Sequence, residues 1–312
     1  MKKGLPSGHV PMCRVRRALI AQLDAAVAQL LRGTPSDRNV HSVREKLKRA
    51  RAALRLLRTC IGTATYRRFN TLIRDAARPL TKVRDSQVLL HTLRALQIDA
   101  DSNGSGAPKH GPVNSFARLL DRELRRQRML QRQGLEKSEL HAAAAALRSV
   151  KRGIEGVSET RLARGTVGDA LERAYRAARR AYGRTLLLAT DARLHESRKQ
   201  TKYLFHQLDI VAPAGSSIFA KRRKRARRLA RCLGDDHDLA VLRAALSDFA
   251  KGANAPGRNA EAADLLRRLM RRRTVLQHEA RALGRRQYAR GPARMRRTFE
   301  EKLGALRTHD PA

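Results

Sequence analysis

Residues 40–61 read VHSVREKLKRARAALRLLRTCI, and their periodicity decides the fold class. At 100° per residue, His41, Arg44, Lys48, Arg51, Arg55 and Arg58 fall on one side of a helix, while Val43, Leu47, Ala50, Leu54, Leu57 and Ile61 form a separate apolar stripe. One face packs and the other is a row of cations, with Arg49 beside it. Like charges at i,i+3 and i,i+4 destabilise an isolated helix by about 0.2–0.5 kcal/mol per pair. Glu45, the only acid in the helix interior, relieves little of this. A row kept at that cost reads as an anion-binding face and not as an idle solvated one. Arginine suits the task because its planar fork donates to two phosphate oxygens at once. The leading histidine adds a donor that becomes cationic at mildly acidic pH.

The spacing His, Arg(+3), Lys(+7) returns at His195, Arg198 and Lys202, with Lys199 alongside, at an offset of 195 − 41 = 154. Leu80…Arg84-Asp85…Val88-Leu89 matches Leu233…His237-Asp238…Val241-Leu242 at 238 − 85 = 153. Arg74 and Arg78 match Arg227 and Arg231 at the same 153, and Leu119-Leu120…Leu130-Gln131 mirrors Leu265-Leu266…Leu276-Gln277. Matches in one order at nearly one offset argue for duplication of a helical unit of roughly 150 residues.

Along the chain, helical periodicity covers residues 14–32, the signature helix to Cys60 or Ile61, 64–78, 82–96, 114–133 and 137–151. It resumes at 167–188, 191–211, 217–232, 235–251, 260–286 and 292–307, and no alternating strand pattern competes. Ser36 or Asp37 is placed to cap the signature helix. Residues 99–112 and 252–259 read as loops, and Pro213/Gly215 as a break. The expected organisation is an N-terminal tail over 1–13, a first helical-bundle repeat over 14–152, a linker over 153–166 and a second repeat over 167–308. The fold class is all-α: two tandem helical bundles related by internal duplication.

Lys and Arg number 68 against 28 Asp and Glu in 312 residues, a formal net charge of +40. A compact body so charged repels itself, so a polyanion relieves a cost as well as adding contacts. Aromatic residues are 4% and Trp is absent, which disfavours single-stranded nucleic acid, whose bases are usually stacked on rings. No apolar run approaches the roughly 18 residues of a membrane span. Cys13, Cys60 and Cys232 lack CxxC spacing, and no apolar segment follows the N-terminal lysines, so a cytoplasmic protein with reduced thiols is expected. The run KRRKR at 221–225, with Lys224 and Arg227 following the same helix, adds a second basic surface that could complete a trough.

Asp235, Asp236, His237 and Asp238 invite a metal reading, but acids after Gly234 read better as caps of a helix starting there. No HExxH, GxxxxGK[ST], GxSxG or Cys/His cluster occurs, so the expectation is no catalytic residues, no metal site and no cofactor.

The paired His41-x-x-Arg44-x3-Lys48-Arg49-x-Arg51 and His195-x-x-Arg198-Lys199-x2-Lys202-Tyr203 helices, with the Arg84-Asp85 and Gly234…Asp238 junctions, resemble the CHAD domain, the conserved-histidine α-helical domain. The resemblance implies two four-helix-type bundles with pseudo-twofold symmetry and a basic cleft between them that binds inorganic polyphosphate, and occurrence at polyphosphate granules. Some members carry a triphosphatase with an ExExK signature; that signature is absent here, so binding without hydrolysis is implied. Lys48 stands where many members have Arg, and Phe205 replaces the cation expected at +10 in the second copy, with Lys199 and His206 as substitutes. The expected site is His41, Arg44, Lys48, Arg49, Arg51, Arg55, Arg74, Arg78, His195, Arg198, Lys199, Lys202, Lys224, Arg227 and Arg231. The expected partner is inorganic polyphosphate. Sequence-nonspecific duplex DNA is the alternative, with attachment of acidic granule proteins a third reading.

Overall fold

Hydroxyl caps start both signature helices. Ser36 accepts a hydrogen bond from the Asn39 amide at the head of α2 (Asp37–Leu56), and Thr190 accepts one from the Arg193 amide at the head of α10 (Asp191–Val211). Each cap stands five residues before its histidine, so the repeat includes the start signal as well as the cations. A cap of this kind contributes about 1 kcal/mol by satisfying an amide that the helix leaves open.

The computed structural model describes residues 12–32, 36–102, 115–212, 217–251 and 258–305. Residues 1–11 of the tail, most of the 99–112 loop, the Pro213/Gly215 break, residues 252–257 and everything after 305 lie outside the described residues. The remaining helices are α1 (Met12–Leu30), α3 (Arg58–Ile61), α4 (Thr63–Asp75), α5 (Pro79–Ser102), α6 (Ser115–Gln133), α7 (Lys137–Glu155), α8 (Glu159–Ala163), α9 (Val167–Leu187), α11 (Ser217–Lys251), α12 (Arg258–Gln287) and α13 (Pro292–Ala305). Among the described residues there is no strand. The all-α class is therefore established.

Two differences from the sequence reading have clear causes. The signature helix stops at Leu56 and continues after Leu57 as the single turn α3, which ends at Gly62 with φ +82°, a left-handed value that glycine adopts without cost. Further on, the expected break between 232 and 235 does not exist, because α11 runs unbroken through Gly234. Asp235 and Asp236 are thus mid-helix and cap nothing. Asp236 is buried and accepts from Arg273 Nε at 2.9 Å, Arg273 Nη2 at 3.3 Å and Gln277 Nε2 at 3.0 Å, so its charge is matched inside the core.

The chain forms two compact units, each drawing on both sequence halves. Among the described residues, one comprises those within 12–78, 137–230 and 282–305; the other comprises those within 79–136 and 231–281. In the first, α1 packs on α2 and α7, α9 on α10 and α13, α4 on α2 and α7, and α2 directly on α10. In the second, α5 packs on α6, and Phe116 meets Phe249 edge to face at 5.2 Å. The sequence repeat and the compact units divide the chain differently.

The predicted stripe of α2 is buried throughout: Val43, Leu47, Ala50 and Leu54, continued by Leu57 and Ile61. A second flank is buried as well, through Ala52 and Leu56. Elsewhere in the same unit Tyr182 and Tyr288 lie 5.4 Å apart, and Tyr175 and Tyr288 5.6 Å apart. A Cβ built on Gly284 would lie 2.0 Å from the Tyr182 ring. Gly284→Ala should therefore lower stability by about 1–3 kcal/mol through overpacking, despite alanine's better helix propensity. Gly183→Ala, on α9, where nothing lies within 4 Å of the new methyl, should instead raise stability by roughly 0.5–1 kcal/mol. Denaturant unfolding of the two variants checks the opposite signs.

Candidate anion-binding face

The two cationic helices come from different halves of the sequence and lie side by side in one compact unit. Their contact is polar as well as apolar. Gln207 Nε2 donates to the Ala52 carbonyl at 3.2 Å, and Arg55 Nη2 donates to Gln200 Oε1 at 3.4 Å. The Tyr203 ring lies under two guanidinium groups, Arg55 at 4.3 Å and Arg51 at 5.7 Å, so cation–π attraction holds two arginines of α2 against α10. Arg51 Nε also donates to Asn70 Oδ1 on α4 at 3.0 Å. The burial of Ala52 and Leu56 follows from this packing: the cationic row of α2 runs between two buried flanks. Arg44, Lys48, Arg51 and Arg55 are consequently half-buried, whereas His41 and Arg49 are exposed. On α10, His195 and Lys199 are exposed, and Arg198 and Lys202 half-buried.

Glu45 sits between the rows. Its Oε1 lies 2.7 Å from Lys48 Nζ and 3.5 Å from Lys202 Nζ, and its Oε2 lies 4.0 Å from His206 Nε2. The acid that looked marginal in the sequence therefore neutralises cations of both helices. Burial pushes its carboxyl pKa up, but Lys48, Lys202 and His206 outweigh this and hold it down to about 2. Burial, with Lys202 next, pushes the Lys48 ammonium down to about 8 against the opposing pull of Glu45. Asp209 does similar work nearby, 3.5 Å from Arg49 Nη2 and 2.9 Å from Arg223 Nη1, joining α2, α10 and α11. Lys199 is paired with Glu196 one turn away.

Of the other expected residues, Arg74 and Arg78 are exposed and turn to Asp75, at 3.0 and 3.8 Å. Lys224 and Arg227 are exposed on the first part of α11, within the unit that holds α2 and α10, and Arg231 is the first residue of the other unit's segment of α11. His206 does not replace the missing +10 cation. It is only 2% exposed, neither ring nitrogen has a hydrogen-bond partner, and burial outweighs Glu45 in pushing its pKa down to about 4. His195 is likewise shifted down, by burial and then by Arg198 and Lys199.

Sequence reasoning missed Glu45, Asn70, Gln200, Tyr203 and Asp209 as members of this face. The only signal for Tyr203 was its place in the second motif, and Glu45 was weighed on its own helix alone. Chemically, the face offers guanidinium and ammonium donors to a multiply charged anion. No group of three or more His, Cys, Asp or Glu side chains among the described residues could hold a metal ion. Nor is any described helix long and apolar enough to cross a membrane.

These features define an all-helical protein in which two repeat-related helices abut with their cationic rows. The chain belongs to the CHAD domain family, whose sequence model matches residues 14–247. Two solved structures are similar in fold. PptA from Streptomyces chartreusis is 14% identical, with 90% of this chain and 99% of that one covered at a TM-score of 0.62. The CHAD domain from the plant Ricinus communis is 17% identical, with 91% and 94% covered at 0.58. No curated protein sequence matches.

Neutral His206 sets a stability prediction. Its folded-state pKa is depressed, so the unfolded chain binds its proton first; the stability it contributes is present above about pH 6.5 and is lost as pH falls toward about 4. His206→Leu should leave stability near pH 7.5 within about 1 kcal/mol, because the ring nitrogens make no hydrogen bonds, and should flatten the fall between about pH 6.5 and 4.5. Denaturant midpoints across that range measure it.

Proposed function

We propose that this protein binds inorganic polyphosphate along the α2–α10 face and does not hydrolyse it. The observation that carries the reading is the sharing of one carboxylate by Lys48 and Lys202: the two rows are close enough for a single thin anion to meet both. Polyphosphate has the matching chemistry, with a negative charge on every unit and a backbone flexible enough to follow donors spaced by helical turns. Arg44, Lys48, Arg51 and Arg55 act on one side, and Arg198, Lys199 and Lys202 on the other. His41 and His195 donate from the exposed N-terminal ends of their rows. Arg74, Arg78, Lys224 and Arg227, in the same unit, extend the positive potential that draws the chain in, and Arg231 adds to the charge of the other unit. In this reading the face binds without catalysis, and the protein acts at polyphosphate granules in the cytoplasm.

Sequence-nonspecific duplex DNA is the second reading, favoured by exposed arginines outside this face such as Arg125 and Arg126 on α6 and Arg267 and Arg268 on α12. Those four are each paired with Asp121, Glu123 or Asp264, which lowers the charge they offer.

Long polyphosphate should outcompete duplex DNA of equal total phosphate at about 150 mM salt, where nonspecific DNA contacts are already weakened by counterion effects. Equal or better competition by DNA would favour the second reading. Neutralising Arg44, Lys48 and Arg51 together should weaken long-chain binding sharply, and neutralising Arg198, Lys199 and Lys202 should do the same. Combining the sets should cost less than the sum, because a chain that bridges both rows loses that advantage only once. Anisotropy titration of the four proteins measures this, and additive losses would mean two independent patches.

A further inference from the structure

We propose that Glu45 is a built-in substitute for a ligand phosphate, occupying the Lys48–Lys202 pair when no ligand is bound and thereby selecting long polyphosphate over short oligophosphates. The inference rests on the reading of the α2–α10 face as a polyphosphate site. Lys48 and Lys202 are the +7 positions of the two motifs, so the carboxylate bridges the same point of both copies. Its oxygens accept from ammonium groups as phosphate oxygens do, and at closer range than a bulk ion. The three side chains are partly open to solvent, at 30% for Glu45, 36% for Lys48 and 28% for Lys202, so a ligand can reach the pair. The other acids of α10 nearby are engaged elsewhere: Glu196 pairs within its own helix with Lys199 and Gln200, and Asp209 joins Arg49 to Arg223. The low pKa of Glu45 keeps it charged near neutral pH, where phosphate is also ionised.

The consequence is a difference between ligands. A short oligophosphate has room for few contacts. To use the lysine pair, where the two rows meet, it must displace Glu45 or lie beside a like charge. A long chain reaches Arg44, Arg51 and Arg55 along one row and Arg198 on the other, and gains its affinity from many contacts without having to take the pair. Discrimination then comes from an obstacle to the wrong ligand, added to attraction for the right one.

The test is Glu45→Gln, which keeps the shape and an acceptor for Lys48 but removes the charge. Calorimetric titration near pH 7 with tripolyphosphate and with long-chain polyphosphate at one salt concentration reads the result. The variant should bind tripolyphosphate about tenfold more tightly and the long chain only about two- to threefold more tightly, so the preference for length narrows. An equal gain for both lengths, no gain, or a loss for tripolyphosphate would overturn the inference; a loss would make Glu45 a positioning residue that holds the lysines for the ligand. Glu45→Asp keeps the charge that holds the helices together and draws the carboxylate back from Lys202. It should shift tripolyphosphate affinity in the same direction by a smaller factor, and if Glu45→Gln does not fold, an unchanged affinity in Glu45→Asp overturns the proposal. A wild-type protein that binds no long-chain polyphosphate refutes the underlying reading instead, and is distinguished because its own titration is flat.

Discussion

Two helices that each present a row of positive charge repel one another, and the first compact unit depends on how that repulsion is overcome. Helix α2 lies directly on α10, and three interactions make the contact tolerable. Glu45 places one carboxylate between Lys48 and Lys202. Asp209 does the same between Arg49 and Arg223. Tyr203 offers its ring to Arg55 and Arg51, which attracts guanidinium groups without spending a negative charge. The hydrogen bond from Gln207 to the Ala52 carbonyl is possible because alanine leaves the α2 backbone open to approach. The cations that remain are fixed in direction by the buried flanks on either side, so donors are organised before any ligand arrives, and less ordering is required on binding.

The same contact explains why the titration behaviour of the face is unusual. Removing water from clustered cations disfavours their charged forms, which lowers Lys48, and it disfavours the imidazolium form of His206 and His195. Buried His206 is a poor pH switch for this reason, while the Lys48 ammonium is brought down toward neutral pH and its charge depends on the acid beside it.

The second compact unit handles charge differently. Arg273 and Asp236 are both nearly inaccessible and meet through two hydrogen bonds, with Gln277 completing the carboxylate's partners. Such a pair adds little net stability but is strongly destabilising if one member is removed. It also accounts for Asp236, which an isolated reading takes as part of a helix start or a metal ligand set.

The sequence by itself determined the helical class, the apolar stripe of α2 and the spacing of both cationic rows, because these depend on periodicity and offset, which are local and can be counted. The span of α10 was also legible, since the helical periodicity stops before the Pro213/Gly215 break. Tertiary structure alone decided that α2 and α10 abut, that α2 has a second buried flank, that α11 passes through Gly234, and that the compact units cut across the repeat. It also decided the parts played by Glu45, Tyr203, Asp209 and His206. Each of these depends on a partner more than 100 positions away or on a different helix, and a carboxylate, a ring or an imidazole takes its chemical role from the groups that packing sets against it, which no spacing along one helix encodes.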